Sequence, residues 1–176
     1  MNKLEKTILY LLTRARDNGK NNLSKFELFK FLYLLEVESY KFTGNSFFDS
    51  SVSFARDNNG PISVDVYHAL NALNGKHIKL IEVENKKYGH NRCCISLIKN
   101  LKKIDLTDSE KLFINSIIKS YINLTIKKLK EIVYDTEPMQ EILKEEKKRK
   151  IKFLKGEKIN FNHISLDEDI VDLIAA

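Results

Sequence analysis

The stretch Ser24 to Phe42, SKFELFKFLYLLEVESYKF, decides the fold. Ser24 followed by Glu27 is the pattern of a capping box, in which each side chain accepts a hydrogen bond from the other residue's free backbone N–H. Too many apolar residues follow for a single stripe, and neither Gly nor Pro interrupts the run before Gly44. A helix that is apolar nearly all round is enclosed by other elements. The sequence therefore predicts a buried central helix over 24–42 of a compact domain.

Length, charge and cysteine usage limit the class of protein. The 176 residues predict a single domain over 1–176. The net charge of +6 and the pI of about 9.1 permit an acidic or nucleic-acid partner without requiring one. Cys93 and Cys94 are adjacent and unsuited to bridging each other. Since neither a disulfide framework, a signal peptide nor a membrane-spanning run is evident, we expect a cytoplasmic protein that stays out of the membrane.

The rest of the chain predicts more helices and one small β element. Helical spacing of apolar residues predicts helices over 3–16, 62–74, 107–121, 125–134 and 138–153, and a last capped helix over 165–174. Residues 45–59 are predicted to form a loop with an extended piece, after which Pro61 opens a helix, where its missing N–H costs nothing. Two apolar runs within 78–98 predict a β-hairpin. The predicted fold is mainly α, a compact single-domain helical bundle around the central helix.

No catalytic, cofactor or metal site is predicted. His90, Cys93 and Cys94 form an H-x-x-C-C cluster, but a zinc site needs four ligands and adjacent strand residues point to opposite faces. An enzyme would have to use Cys93 with His90 as its base, and no hydrolase, metalloprotease, Walker or dinucleotide motif accompanies them. We therefore expect a non-enzymatic protein without cofactors.

Two sets of charged residues call for an interpretation. Glu36 and Glu38 interrupt the apolar central helix, and we expect them to face solvent or to meet a basic residue such as Arg56. The alternative is a buried pair of carboxylates tuned for acid–base chemistry. The run 144–155, KEEKKRKIKFLK, is predicted to be a charged helix end. It is either a solvated face or a surface for nucleic-acid phosphates, contacted by Lys147, Lys148, Arg149, Lys150 and Lys152.

Several short motifs occur in an order that resembles a known family. They are Lys30-x-x-Tyr33, Thr43-Gly44, Phe54, Gly60-Pro61-Ile62 and Tyr67. Together they resemble the Panacea domain, the fold of SocA-like and phage-associated antitoxins. The later block Thr136 to Met139 resembles a family block that commonly ends in His and Pro-Trp, although this chain contains no Trp.

The resemblance implies an antitoxin of a bacterial or prophage toxin–antitoxin pair, which neutralises its toxin by direct contact or delivers it to a protease. We expect binding near the helix that Gly60-Pro61 opens and the loop 45–59, where exposed aromatics such as Phe47 or Phe48, and Arg56, would contact the partner. Lys30 and Tyr33 are expected to tie the central helix to the segment 43–61. The alternative is a phage-encoded nucleic-acid-binding regulator that uses the basic run. Self-association stays open.

Overall fold

The computed structural model describes residues 1–85, 89–101 and 103–167. Within them the helices are α1 (Lys3–Asp17), α2 (Lys25–Thr43), α3 (Val64–Leu73), α4 (Asp108–Tyr121), α5 (Ile126–Tyr134) and α6 (Glu137–Arg149). The strands are β1 (Leu23–Ser24), β2 (Ala55–Asp57), β3 (Gly60–Ile62), β4 (Ile78–Asn85) and β5 (His90–Leu97). Among these residues, no helix has both the length and the apolar composition needed to cross a bilayer.

The fold is mixed, so the prediction of a mainly α helical bundle is wrong. Helices account for 50% of the described residues and strands for 15%. The predicted hairpin exists as β4 and β5, and its turn at 86–88 lies outside the described residues. Leu23 and Ser24 of β1 pair with β5, which gives an antiparallel sheet in the order β1-β5-β4, and β2 pairs with β3 in a second sheet. Strands of two or three residues are too short to show a two-residue period, so periodicity did not reveal them.

The buried central helix is confirmed as α2. Ser24 is its N-cap, both hydrogen bonds of the capping box to Glu27 are formed, and Gly44 ends the helix in the left-handed conformation. Twelve of its nineteen residues are buried. They lie against α4 and α5 and against the strands β1, β3 and β5. Because each fully buried Leu or Phe contributes roughly 1.5–3 kcal/mol, α2 supplies a large share of the apolar burial.

Gly60 and Pro61 belong to a strand, so the prediction that Pro61 opens a helix is wrong. β3 pairs antiparallel with β2 across a two-residue turn. Pro61 fits there because the φ fixed by its ring also suits an extended edge strand. The helix α3 begins only at Val64, where Ser63 is the N-cap and accepts a hydrogen bond from the Val66 N–H (3.4 Å).

The helices of the C-terminal half follow the predicted capping residues, except at the end of α6. Thr107 and Thr125, the first residues of the predicted helices 107–121 and 125–134, are the N-caps of α4 and α5. The helix predicted over 138–153 stops at Arg149, because Lys150 takes the left-handed conformation (φ 57°). The backbone N–H of Leu154 then donates to the Glu146 carboxylate (2.9 Å), which holds the chain in a turn that a continued helix would prevent.

After α6 the chain returns to β2. The Arg56 N–H donates to the Glu157 carbonyl oxygen and the Ile159 N–H donates to the Phe54 carbonyl oxygen, both at 2.8 Å. Ile159 is buried by this pairing. The predicted helix over 165–174 lies mostly outside the described residues, and its first three residues are not helical.

Candidate functional site

Five residues of the family-like motifs meet where α2, β3 and the junction of α5 with α6 come together. We call this set the signature cluster: Lys30, Tyr33, Gly60, Pro61 and Thr136. α2 presents Lys30 and Tyr33 one turn apart, and both side chains are at most 1% exposed. The polar ends of two large side chains are thereby held inside the protein, where each needs a hydrogen-bonding partner.

Lys30 is bound to the hairpin formed by β2 and β3. Its Nζ donates to the Pro61 carbonyl oxygen at 2.9 Å and lies 4.7 Å from the centre of the Phe26 ring. The pKa of Lys30 is lowered to about 7, chiefly by burial and also by the charges of Lys130 and Arg56, while Asp57 acts in the opposite direction. The prediction that Lys30 ties α2 to the segment 43–61 is confirmed by the contact with Pro61.

Tyr33 makes its polar contact elsewhere. Its ring packs edge-on against Phe54 with centroids 5.6 Å apart, so the ring does touch the segment 43–61. Its hydroxyl lies 2.7 Å from the Thr136 Oγ1, and that hydroxyl donates to the Val133 carbonyl oxygen, also at 2.7 Å. Because Thr136 has one hydroxyl hydrogen, Tyr33 is the donor between them. Tyr33 therefore joins α2 to the start of α6, and burial raises its pKa.

Arg56 lies beside the signature cluster in a buried ion pair. Its Nε donates to the Glu146 Oε1 at 2.8 Å, its Nη2 approaches the Glu146 Oε2 at 3.4 Å, and its Nη1 donates to the Tyr134 hydroxyl at 3.0 Å. Arg56 and Glu146 are both 5% exposed, so the prediction of Arg56 as an accessible partner contact is wrong. Glu146 is not among the residues singled out from the sequence, because it lies in a charged run. Its helical spacing from the buried Met139 and Ile142 is the signal that could have indicated its burial.

Gly60 is the motif residue for which the structure gives the clearest steric reason. Its φ is +95°, and a Cβ at this position would lie 3.2 Å from the Tyr134 ring and 3.3 Å from the Lys30 Nζ. A side chain here would be strained by its backbone and would also press on the signature cluster.

We expect Gly60→Ala to destabilise the protein by about 2–3 kcal/mol, because the backbone cost alone is about 1–2 kcal/mol. Gly19→Ala is the matched control, since Gly19 has a similar φ of +83° and nothing within 4 Å of the added Cβ. The measurement is urea unfolding of both variants followed by circular dichroism. Equal losses would contradict the close contact at Gly60.

Phe47 and Phe48 are 5% and 0% exposed, so the expectation that they are exposed anchors for a partner is wrong. Their backbone N–H groups donate to the Glu36 Oε2 at 3.0 and 3.4 Å. Glu36 is 2% exposed, and Arg56 is paired with Glu146 instead. The expectation that Glu36 faces solvent or meets Arg56 is therefore wrong. Glu38 does meet a basic residue, since its carboxylate lies 3.3 Å from the Lys41 Nζ. The sequence around Phe47 and Phe48 does not indicate that their N–H groups bind a buried carboxylate on α2.

The remaining motif residues divide into structural and exposed positions. The Thr43 hydroxyl donates to the Ser39 carbonyl oxygen at 2.8 Å, next to Gly44 at the helix end, and Phe54 is fully buried. Tyr67, in contrast, is 40% exposed on α3, and its ring centroid lies 4.9 Å from that of Phe29.

Tyr67 is part of an exposed surface that we call the α3 face. It consists of Val64, Tyr67 and His68, which are all exposed, and Val64 reaches 63%. The Lys25 Nζ lies 5.2 Å from the centre of the Tyr67 ring. The α3 face combines a rigid aromatic ring, an exposed aliphatic side chain and a neighbouring positive charge, which suits protein contact.

The basic residues and the cysteines lie apart from the signature cluster. Lys147, Lys148 and Arg149 are exposed at the end of α6, and Lys150 and Lys152 are exposed in the turn beyond it. Cys94 is buried and Cys93 is half-buried on β5. Within the described residues, no group of three or more His, Cys, Asp or Glu side chains is arranged to hold a metal ion.

Comparison with known protein families identifies this arrangement. The family model described as "Antitoxin SocA-like, Panacea domain" matches residues 28–140, which is well over half of the chain. The match includes α2, the β2–β3 hairpin, α3 and the Thr136 position. A search of curated proteins returned no match. The chain belongs to the SocA-like antitoxin family of Panacea domains.

Proposed function

We propose that this protein is an antitoxin that neutralises a cognate protein toxin by direct binding. Membership of the SocA-like family supports an antitoxin role. One observation favours a particular binding surface: most of the motif residues are buried, and Tyr67 is exposed. Internal contacts engage Lys30, Tyr33, Gly60 and Pro61, whereas Tyr67 is exposed to solvent.

The α3 face is the surface that we propose for toxin binding. Its helix packs against α1 and the Tyr67 ring contacts Phe29, so little order has to be gained on binding. Tyr is enriched among residues that dominate binding energies, and the exposed Val64 adds apolar area next to it. Lys25 adds a positive charge, which favours an acidic patch on the toxin.

The test is co-expression with the product of the neighbouring gene, combined with variants of the α3 face. We expect Tyr67→Ala and Val64→Asp each to weaken toxin binding by about 30-fold or more, the effect of losing about 2 kcal/mol at a central contact. Growth rescue and the dissociation constant of the purified pair are the measurements.

Leu112→Asp is the matched control, because Leu112 is also an exposed apolar residue (70%) but lies on α4. It should leave rescue unchanged. A neighbouring gene product that is harmless alone would overturn the antitoxin proposal itself. Full rescue by both α3-face variants would overturn only the choice of surface.

The family resemblance also suggests an adaptor mode, in which the antitoxin delivers its toxin to a protease. This mode would shorten the half-life of the toxin when the antitoxin is co-expressed, whereas simple sequestration would leave it unchanged or longer. Pulse-chase measurement of the toxin separates the two modes.

The alternative function, nucleic-acid binding, is favoured by the exposure of Lys147, Lys148, Arg149, Lys150 and Lys152. Arg149 is already paired with Glu145 at 2.7 Å, which reduces the charge available for phosphates. Titration with duplex DNA at two salt concentrations tests it, because phosphate contacts weaken steeply with salt. Lack of binding at low salt would remove this alternative.

A further inference from the structure

A cleft lies on the side of β2 that faces the returning C-terminal chain. The chain segments on either side are joined where the Ile159 N–H donates to the Phe54 carbonyl oxygen at 2.8 Å. Next to this pairing, Ser50, residues 52–54 and residues 158–162 border a space of ≈ 440 Å³, and α2 contributes Glu36 and Tyr40 to its lining. This volume falls within the range of small-ligand sites. We call it the Glu36 cleft.

Glu36 is an unusual lining residue because its carboxylate is held away from solvent. The backbone N–H groups of Phe47 and Phe48 both donate to the same oxygen, Oε2. Burial raises the pKa of Glu36, while hydrogen bonds from Ser46 and from the two Phe amides, and the charge of Lys3, lower it in part. A carboxylate deprived of water in this way gains when a cation enters its surroundings.

The walls of the cleft are aromatic and amide in character. The rings of Tyr40 and Phe161 are stacked, with centroids 5.6 Å apart and planes 13° apart, and Phe54 packs edge-on against Phe161. Aromatic faces attract cations, and the amide oxygens of Asn160 and Asn162 can accept hydrogen bonds from them.

The rim of the cleft carries backbone strain. Asp49 and Ser50 are consecutive non-glycine residues with φ values of +53° and +60°. Conformations of this kind cost on the order of 1–3 kcal/mol each and collect at ligand-binding sites. Ser50 is itself a lining residue, so the strained turn fixes one wall of the cleft.

We propose that the Glu36 cleft binds an alkyl guanidinium or alkylammonium group, with Glu36 as its counter-ion and the Tyr40–Phe161 stack as its aromatic wall. The source is either an arginine or lysine side chain of a peptide or a free small-molecule amine. None of the residues of the α3 face lines this cleft, so the proposal stands whether or not the proposed toxin-binding surface is correct. Lys158 also lines the cleft, and its positive charge opposes the entry of a cationic ligand.

The test is an NMR titration of the full chain with agmatine, which carries a guanidinium on an alkyl stem. Saturable shifts are expected at the amides of Phe47 and Phe48, which report on Glu36, and at the side-chain amides of Asn160 and Asn162. Glu36→Gln should weaken binding at least tenfold while keeping an oxygen to accept from the Phe amides. Glu38→Gln is the matched control, because it removes a carboxylate from the same helix outside the cleft, and Lys158→Ala should strengthen binding.

A second arm compares peptides containing arginine with identical peptides containing citrulline, its uncharged isostere. Tighter binding of the arginine peptide than of agmatine assigns the site to a protein side chain, and the reverse order assigns it to a free amine. Equal binding of the citrulline peptide, or shifts that survive Glu36→Gln, would overturn the proposal. So would the absence of cleft shifts at about 10 mM agmatine, a decade above a millimolar Kd. If Glu36→Gln fails to fold, Tyr40→Leu takes its place with the same expected loss.

Discussion

Glu146→Ala is expected to lower the free energy of unfolding by about 3–5 kcal/mol, because it leaves the buried Arg56 guanidinium without its counter-ion. The two side chains are 5% and 7% exposed and are joined by the 2.8 Å contact from Nε to Oε1. The same carboxylate also accepts from the Leu154 N–H at 2.9 Å, so the variant frees the turn that returns the chain to β2. Urea unfolding monitored by circular dichroism and by tyrosine fluorescence measures the loss.

Glu145→Ala provides the control from the neighbouring position. Glu145 pairs with Arg149 at 2.7 Å, but both side chains are substantially exposed, so the loss should be far smaller. The double variant Arg56→Met with Glu146→Leu should lose less than Glu146→Ala alone, because no unpaired charge stays buried. Equal losses for Glu145→Ala and Glu146→Ala would show that the buried pair does not support the fold.

The helical part of the fold could be predicted because its signals are local. Ser24 with Glu27 and Thr107 with Glu110 are capping boxes that form as the sequence predicts. The apolar density of α2 also identifies the core correctly, since neither signal depends on distant residues. Local signals do not predict the burial of Lys30 in the same helix, which is as buried as its apolar neighbours.

The β elements and the buried charges could not be predicted because they depend on contacts distant in sequence. Leu23 becomes a strand residue only through pairing with Ile95. Pro61 is equally suited to a helix start and to an edge strand, and its pairing partner Arg56 decides between them. The charged neighbours of Glu146 in the chain predict a surface position. It is buried because it pairs with Arg56, which is ninety residues away in the sequence.

The internal contacts of the candidate site could be predicted in part, whereas the aromatic anchors expected in the loop 45–59 were wrong. The motif residues on α2 and β3 do meet, as the contact from the Lys30 Nζ to the Pro61 carbonyl oxygen shows. Phe47 and Phe48 are expected at the surface because hydrophobic loop residues often contact partners. Both are buried instead, and their backbone N–H groups donate to the Glu36 carboxylate. Tyr67 is exposed because the buried side of α3 is formed by Val66, Leu70 and Leu73, and Tyr67 lies off that side.

The stability of this protein is expected to rise with pH between about 7 and 10, and Lys30 is the cause. Its folded-state pKa is about 7, against an ordinary value near 10.5 in the unfolded chain. Between these values the unfolded chain binds a proton that the folded protein does not, so unfolding becomes less favourable as the pH rises. At up to ~1.4 kcal/mol per pH unit, the gain from pH 7 to 9.5 is about 3 kcal/mol. Below pH 7 the lysine is charged in both states, and this contribution is flat.

Lys30→Met should remove this slope, because methionine fills a similar volume without a titrating group. Its stability relative to the natural chain should be highest below pH 7, where the natural chain buries a charged ammonium, and should fall by about 3 kcal/mol on going to pH 9.5. Lys127→Met, a change at an exposed lysine on α5, should retain the slope of the natural chain. Parallel pH profiles for the natural chain and Lys30→Met would mean that the buried amine is not the titrating group. A slope that disappears only in Lys30→Met would show that the β2–β3 hairpin is held by a lysine whose charge changes near neutral pH, since the Lys30 side chain binds Pro61.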